Sequence, residues 1–158
     1  MSEYTATIRW MNKDDNAFTK NTYSREHVWE FDGGVTVAAS SSPLVVPLPM
    51  SVEHAVDPEE AFVASISSCH MLWFLSIAAK KGYVVENYID QARGVMSKNA
   101  SGKLSITSVV LSPATLFSAG KQPTPNQLTE LHHLAHENCF IANSVTSNII
   151  CNPTIQLR

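Results

Sequence analysis

The chain has 158 residues, 44% hydrophobic and 16% charged, with a net charge of -3. That content can bury a proper core and excludes disorder as the main state, and with no basic excess to neutralise phosphates, nucleic acid is not an expected partner. A charged fraction below the roughly 25% of average domains leaves little polar surface, so a homodimer that hides apolar area is expected.

Residues 1–10 carry Glu3 and Arg9 and no apolar run, so no signal peptide is expected and the cytoplasm is the default compartment. Residues 3–11 alternate Tyr4, Ala6, Ile8 and Trp10 against Thr5, Thr7 and Arg9, which predicts a half-buried strand. After the turn residues 13–16, a second alternating run covers 22–31. Asp32-Gly33-Gly34 then signals a hairpin into a third strand over 35–39. The opening is a three-stranded meander.

Three prolines among apolar residues over 43–50 forbid a central strand and predict an extended connection lining a pocket or a dimer seam. Asp57-Pro58-Glu59-Glu60 starts a helix, with Asp57 as N-cap, Pro58 at N1 and Glu60 at N3 for a capping box. The helix is expected to end near Lys81 with Gly82 as its stop. The stretch 61–79 holds no Asp, Glu, Lys or Arg and has the length of a membrane span, but serines and a histidine interrupt it. It reads as a helix inside protein with both faces buried, and no membrane is expected as a partner.

Residues 83–95 and 103–111 read as strands around the polar turn 97–102, and Pro123 and Pro125 introduce a helix to about His136. A short helical turn after Cys139 and a strand over 148–157, with Pro153 at a bulge or edge, complete the chain. The class is α+β: two antiparallel sheets wrapped around a long central helix, as a single domain over 1–158.

Cys69, Cys139 and Cys151 are too few and too odd in number for a disulfide framework. Cys69 lies mid-helix, a common place for a small buried thiol. Cys139 lies where a helix ends and a turn begins, so backbone N–H groups there can stabilise a thiolate, or the residue simply packs. Cys151, beside Asn152 and Pro153, reads as packing. Arg25 shares a strand face with Tyr23, His27, Trp29 and Phe31; turned inward it needs a carboxylate, with Glu59 and Glu60 as the supply, and turned outward it is an ordinary solvated charge. A rival reading makes the chain a non-catalytic module that holds a metal or a thiol adduct. His132, His133, His136 and Cys139 make up its constellation: His132 and His136 share a helix face, Cys139 follows one turn later, and Cys69 would complete four zinc ligands.

The segment DPEEAFVASISSCHM, 57–71, resembles the helix start and Ser-Cys run of the osmotically inducible protein C (OsmC) and organic hydroperoxide resistance (Ohr) family. HENCFIANSV, 136–145, is similar to that family's second cysteine motif. The two motifs stand in the family's order, about 70 residues apart, behind a β-rich opening. The resemblance implies an intertwined homodimer that reduces organic hydroperoxides, with no cofactor or metal. Cys69 matches the peroxidatic cysteine, Cys139 the resolving one and Glu59 the glutamate after the proline. Arg25, in YSREHVW, matches the arginine better than Arg9 does. Asp57, His70 and Phe140 depart from the family pattern.

The implied cycle begins with a Cys69 thiolate, favoured by a guanidinium that Glu59 positions, and ends in a Cys69–Cys139 disulfide reopened by an external dithiol. Leu48, Met50, Phe62, Trp73 and Phe140 supply apolar surface that suits an alkyl or lipid hydroperoxide, or an ordinary core.

Overall fold

The computed structural model describes residues 1–156, and the chain divides into two compact units, 1–61 and 62–158. In the first, β1 (Ala6–Arg9), β2 (His27–Phe31) and β3 (Thr36–Ala39) form the expected antiparallel meander, with Ile8 opposite Trp29 and Trp29 opposite Val37. The turn 32–34 closes the hairpin through Phe31 N–H to Val35 O at 3.0 Å.

The strands are shorter than the alternation predicts. Residues 13–16 belong to a small helix, α1 (Asp15–Thr19), started by Asp14, whose carboxylate accepts from the Asn16 and Ala17 N–H groups. Residues 22–26 leave the sheet because other partners take them. Trp10 Nε1 donates to Ser24 O, Arg25 N–H donates to Met50 O at 2.7 Å, and Trp10, Phe18 and Tyr23 cluster with centroids 5.0–5.7 Å apart. β1 is exposed along its whole length, not half-buried.

The proline-rich segment is not extended. Val45 and Val46 both donate to Ser42 O, Met50 donates to Pro47 O, and the Leu48–Pro49 bond is cis. Leu44 and Val45 are exposed.

The long helix α2 (Pro58–Lys80) starts and stops where its signals stand. Asp57 accepts from Glu60 N–H at 2.8 Å while the Glu60 carboxylate accepts from Asp57 N–H at 3.0 Å, a reciprocal capping box. At the other end Gly82 takes φ 76°, and Gly82 and Tyr83 donate back to Ala79 and Ala78. A residue with Cβ would be strained there.

In the second unit α2 buries one stripe, Ile66, His70, Phe74 and Ala78, at i+4 spacing. The expectation that both faces are buried is corrected: Ser68, Leu72 and Ser76 are exposed, since this chain supplies cover for one side alone. The helix passes a membrane-span test by length and composition, yet its buried stripe carries a histidine and packs in a protein core.

The α+β class with one long helix stands. The strands pair as three small sheets, β1-β2-β3, β4-β7-β9 and β5-β6-β8, two of which mix parallel and antiparallel pairs. The expected strand 83–95 is two, β4 (Val85–Asp90) and β5 (Arg93–Lys98), parted at Gln91-Ala92. β6 (Leu104–Leu111) forms the expected hairpin with β5, and β7 (Pro113–Phe117) follows it immediately. The final strand is also two: β8 (Asn148–Cys151) runs parallel to β6, and β9 (Thr154–Ile155) runs parallel to β7. Pro153, with no N–H to give a ladder, marks where the chain changes sheets. Leu157, the last residue of that expected strand, lies outside the described residues.

α3 (Pro125–Asn138) is capped by Thr124 and Gln127 in a second capping box. One core joins Phe74, Ala78, Tyr83 and Phe117 to Leu128, Leu131 and Ala135 of α3; another joins Ile66 to Val109 and Leu111. Gly94 lets β5 approach α2, because a Cβ there would lie 2.6 Å from Val63 Cγ2.

Candidate functional site

Cys69 and Cys139 meet in the second unit. Cys69 is partly buried on α2; Cys139 is buried at the C-cap of α3, and the two thiols are near enough for Cys69 to perturb the titration of Cys139. The chain leaves α3 at Cys139 into a 3₁₀ turn, Ala142–Ser144, which brings Ala142 N–H to 3.4 Å from Cys139 Sγ. Burial pushes the Cys139 thiol up to about 11, the neighbouring Cys69 thiol adds to the rise, and the N–H groups of Ala142 and Ile141 oppose it. Both cysteines are free thiols. Trp73 and Phe140 meet edge to face, centroids 5.5 Å apart, and Phe140 is two-thirds exposed (66%), so the residue after Cys139 is an aromatic open to solvent.

In the first unit Arg25 is partly buried, and its guanidinium turns back on its own segment. Nη1 and Nη2 donate to Asn21 O, Nη2 also donates to Asn21 Oδ1 at 2.7 Å, Nη1 also donates to Tyr23 O, and the group lies 3.8 Å over the Tyr23 ring. The expected pairing with Glu59 or Glu60 does not form: Glu60 is committed to the capping box, and Glu59 stands partly buried in the first turn of α2. Local carbonyl and amide oxygens satisfy the cation without a carboxylate. Arg9 is engaged at the surface, Nη2 giving Glu30 Oε2 a 3.0 Å ion pair.

The grouping of Cys69, Cys139 and the 132–136 histidines into one metal site does not form. His133 is exposed and lies 3.4 Å from Glu137, whereas His132 is buried on another face of α3. Its partner is His70 of α2: His70 Nε2 and His132 Nδ1 share a 2.9 Å hydrogen bond, and the rings stack 6° from parallel. Cys151 Sγ lies 3.8 Å from His70 Nε2. Burial lowers His70 to about 4, with the charge of His136 adding and Asp90 opposing; burial and then His70 lower His132 to about 3. Burial pushes Cys151 up to about 12, with Asp90 adding.

Sequence reading treats His70 as a departure from a motif and Cys151 as packing. The His132 signal was present in the helix spacing, but its partners depend on the parallel β6–β8 pairing, which sets Cys151 opposite Leu111 and has no local signature.

The family model described as OsmC-like protein matches residues 51–153. A structure of an OsmC-like protein of unknown function from Vibrio cholerae is 59% identical with TM-score 0.94, covering 97% of this chain and 99% of that one. An organic hydroperoxide resistance protein from Elizabethkingia anophelis is 15% identical with TM-score 0.70, covering 100% and 98%. One from Bacillus subtilis is 14% identical with TM-score 0.61, covering 98% of each chain. No curated protein matches the sequence.

Proposed function

Because the chain belongs to the OsmC-like family, we propose that it is a thiol-dependent peroxidase reducing organic hydroperoxides to alcohols in oxidative-stress defence. The observation that carries this reading is the contact between two free thiols, one partly open and one buried. The names of the fold neighbours from Elizabethkingia anophelis and Bacillus subtilis support the substrate class.

Burial keeps the proton on Cys139 at neutral pH, so Cys69, the more open sulfur, is the nucleophile. Its thiolate attacks one peroxide oxygen and the O–O bond breaks. The leaving alkoxide takes a proton to become the alcohol, and Cys69 becomes a sulfenic acid. Cys139 then attacks that sulfur, its thiol proton joins the departing hydroxide as water, and a disulfide closes. An external dithiol supplies two electrons and two protons to reopen it. Arg25 is assigned as the guanidinium that stabilises the anionic sulfur and the leaving oxygen, a role that requires it to leave the Asn21 and Tyr23 oxygens it now holds and to take Glu59 as its positioning partner. The exposed Phe140 and its edge contact with Trp73 support an alkyl or lipid hydroperoxide over hydrogen peroxide.

Exposed apolar residues, among them Ile8, Leu44, Leu72 and Phe140, support a homodimer that covers some of them. The reading takes residues 1–158 as one domain acting in the cytoplasm. The test is consumption of an alkyl hydroperoxide and of hydrogen peroxide by the purified protein with a dithiol reductant. Faster consumption of the alkyl compound and a trapped Cys69–Cys139 disulfide are expected. Peroxide that leaves both thiols free overturns the reading, and sedimentation as a monomer at micromolar concentration overturns the dimer.

A further inference from the structure

The second sulfur cluster is independent of the redox pair and is built from three rigid elements: His70 on α2, His132 on α3 and Cys151 at the end of β8. One nitrogen of each ring and the sulfur all lie within 4.8 Å of one another. Two of the separations are 2.9 Å, between the histidine nitrogens, and 3.8 Å, from sulfur to His70 Nε2. Ligands held at about 2.0 Å through nitrogen and 2.3 Å through sulfur stand about 3.3 to 3.8 Å from each other. The third side of the triangle is at most 4.8 Å, so the cluster reaches that spacing when the two imidazoles part by about half an ångström and the sulfur closes on His132 by up to about 1 Å.

The surroundings restrict the ion. The rings are buried, Phe74 stacks on His132 at 4.2 Å, and Tyr88 lies 6.4 Å from it. His70 Nδ1, His132 Nε2, Tyr88 Oη and Thr115 Oγ1 are buried without a hydrogen-bond partner. An apolar site of this kind penalises net charge. Two neutral imidazoles and a thiolate around a monovalent ion sum to zero, whereas a divalent ion leaves a buried positive charge. A zinc ion also requires a fourth ligand. Asp90 does not offer one, since its oxygens accept from Ser67 Oγ and from Ser112 N–H. Thiolate and imidazole together suit cuprous ion, which accepts three ligands.

We propose that His70, His132 and Cys151, the imidazoles buried and the cysteine partly so, form a three-coordinate site for one cuprous ion. His70 binds through Nε2 and His132 through Nδ1; the ring that donates the shared hydrogen bond moves its proton to its other nitrogen, the second ring's proton already stands there, and the Cys151 thiol gives its proton to solvent.

The experiment is anaerobic titration of the whole chain carrying Cys69→Ser and Cys139→Ser with cuprous ion against a chromophoric chelator. Cys151 is then the one remaining sulfur among the cysteines. One equivalent is expected to be withdrawn from the chelator. Adding His70→Phe, His132→Phe or Cys151→Ser should weaken binding by more than the 10- to 100-fold typical of outer-shell changes, with circular dichroism reporting the fold. X-ray absorption of wild-type protein loaded with one equivalent needs no substitution, and two nitrogens with one sulfur are expected. Two-sulfur ligation, copper retained without Cys151, or zinc ion held more tightly than cuprous ion by the same residues overturns the proposal. The peroxidase reading is judged by turnover of copper-free protein, so either can fail alone.

Discussion

Around Cys69 the neighbours are a second thiol at the end of α3 and the turn whose N–H groups meet it. Around His70, one residue later on the same helix, they are another imidazole, a third thiol and the α2–α3 core. Successive residues on a helix point about 100° apart, so one step in sequence separates a partly open sulfur beside a buried one from a partly buried sulfur beside two buried imidazoles. Cys69 and Cys151 are both partly buried, and what separates them is the neighbour: a thiol beside Cys69, an imidazole beside Cys151. Position on α2 decides which of the other two sulfurs each helix residue meets, Cys139 for Cys69 and Cys151 for His70.

The strongest way to break this contrast is to exchange the sulfurs' roles. Cys69→Ser is expected to reduce peroxide consumption to background, while Cys151→Ser leaves turnover close to wild type. Cys139→Ser should permit one oxidation and then stall with Cys69 as a sulfenic or over-oxidised acid, read by mass spectrometry. Full turnover by Cys69→Ser would remove the distinction between the clusters.

The buried cluster should dominate acid stability in the metal-free protein. An imidazole held below its unfolded value near 6.5 is neutral in both states above that pH and changes nothing there. As pH falls below about 6.5 the unfolded chain takes up protons that the native pair refuses, so stability falls by up to about 1.4 kcal/mol per pH unit for each histidine. The loss continues toward the native values, about 4 for His70 and about 3 for His132. Denaturant midpoints between pH 7 and 4.5 should show this slope, and His132→Phe should flatten it. A flat wild-type profile would mean that the pair is not held neutral.

The shared helix can be perturbed without touching either cluster. Gly94→Ala sets a methyl 2.6 Å from Val63 Cγ2 and 3.3 Å from Ile106 Cγ2. Val63 is β-branched on a helix and has little rotamer freedom to yield. Overpacking should cost about 1–3 kcal/mol of stability, measured by urea unfolding, and unchanged stability would show that α2 yields at this contact.

The smallest effect sharpens the reactive side. Arg25→Met is expected to slow oxidation of Cys69 about tenfold, a loss of about 1.4 kcal/mol in the barrier, with Glu59→Gln acting in the same direction but less. Unchanged rates in both would leave the sulfur without an arginine partner.

The local signals in the chain were legible because they are satisfied within a few residues. Asp57 and Glu60 cap each other, Gly82 stops α2, and the Asp32-Gly33-Gly34 turn closes its hairpin. The cysteine motifs were legible for the same reason, since each sits on one helix or at one helix end. Strand lengths were less so: the alternation over 22–31 is real, but Met50 and Trp10 claim residues 24 and 25 for other bonds.

The sequence by itself therefore determined the long helix with its ends, the three-stranded opening and the pair of cysteines to watch. The tertiary structure alone decided which face of α2 is covered, where Arg25 places its charge, and that Cys151 joins two histidines. Those outcomes depend on parallel strand pairing and on contacts between residues as far as 81 positions apart. Such contacts are fixed by which buried surfaces fit together, and no short stretch of chain carries that information.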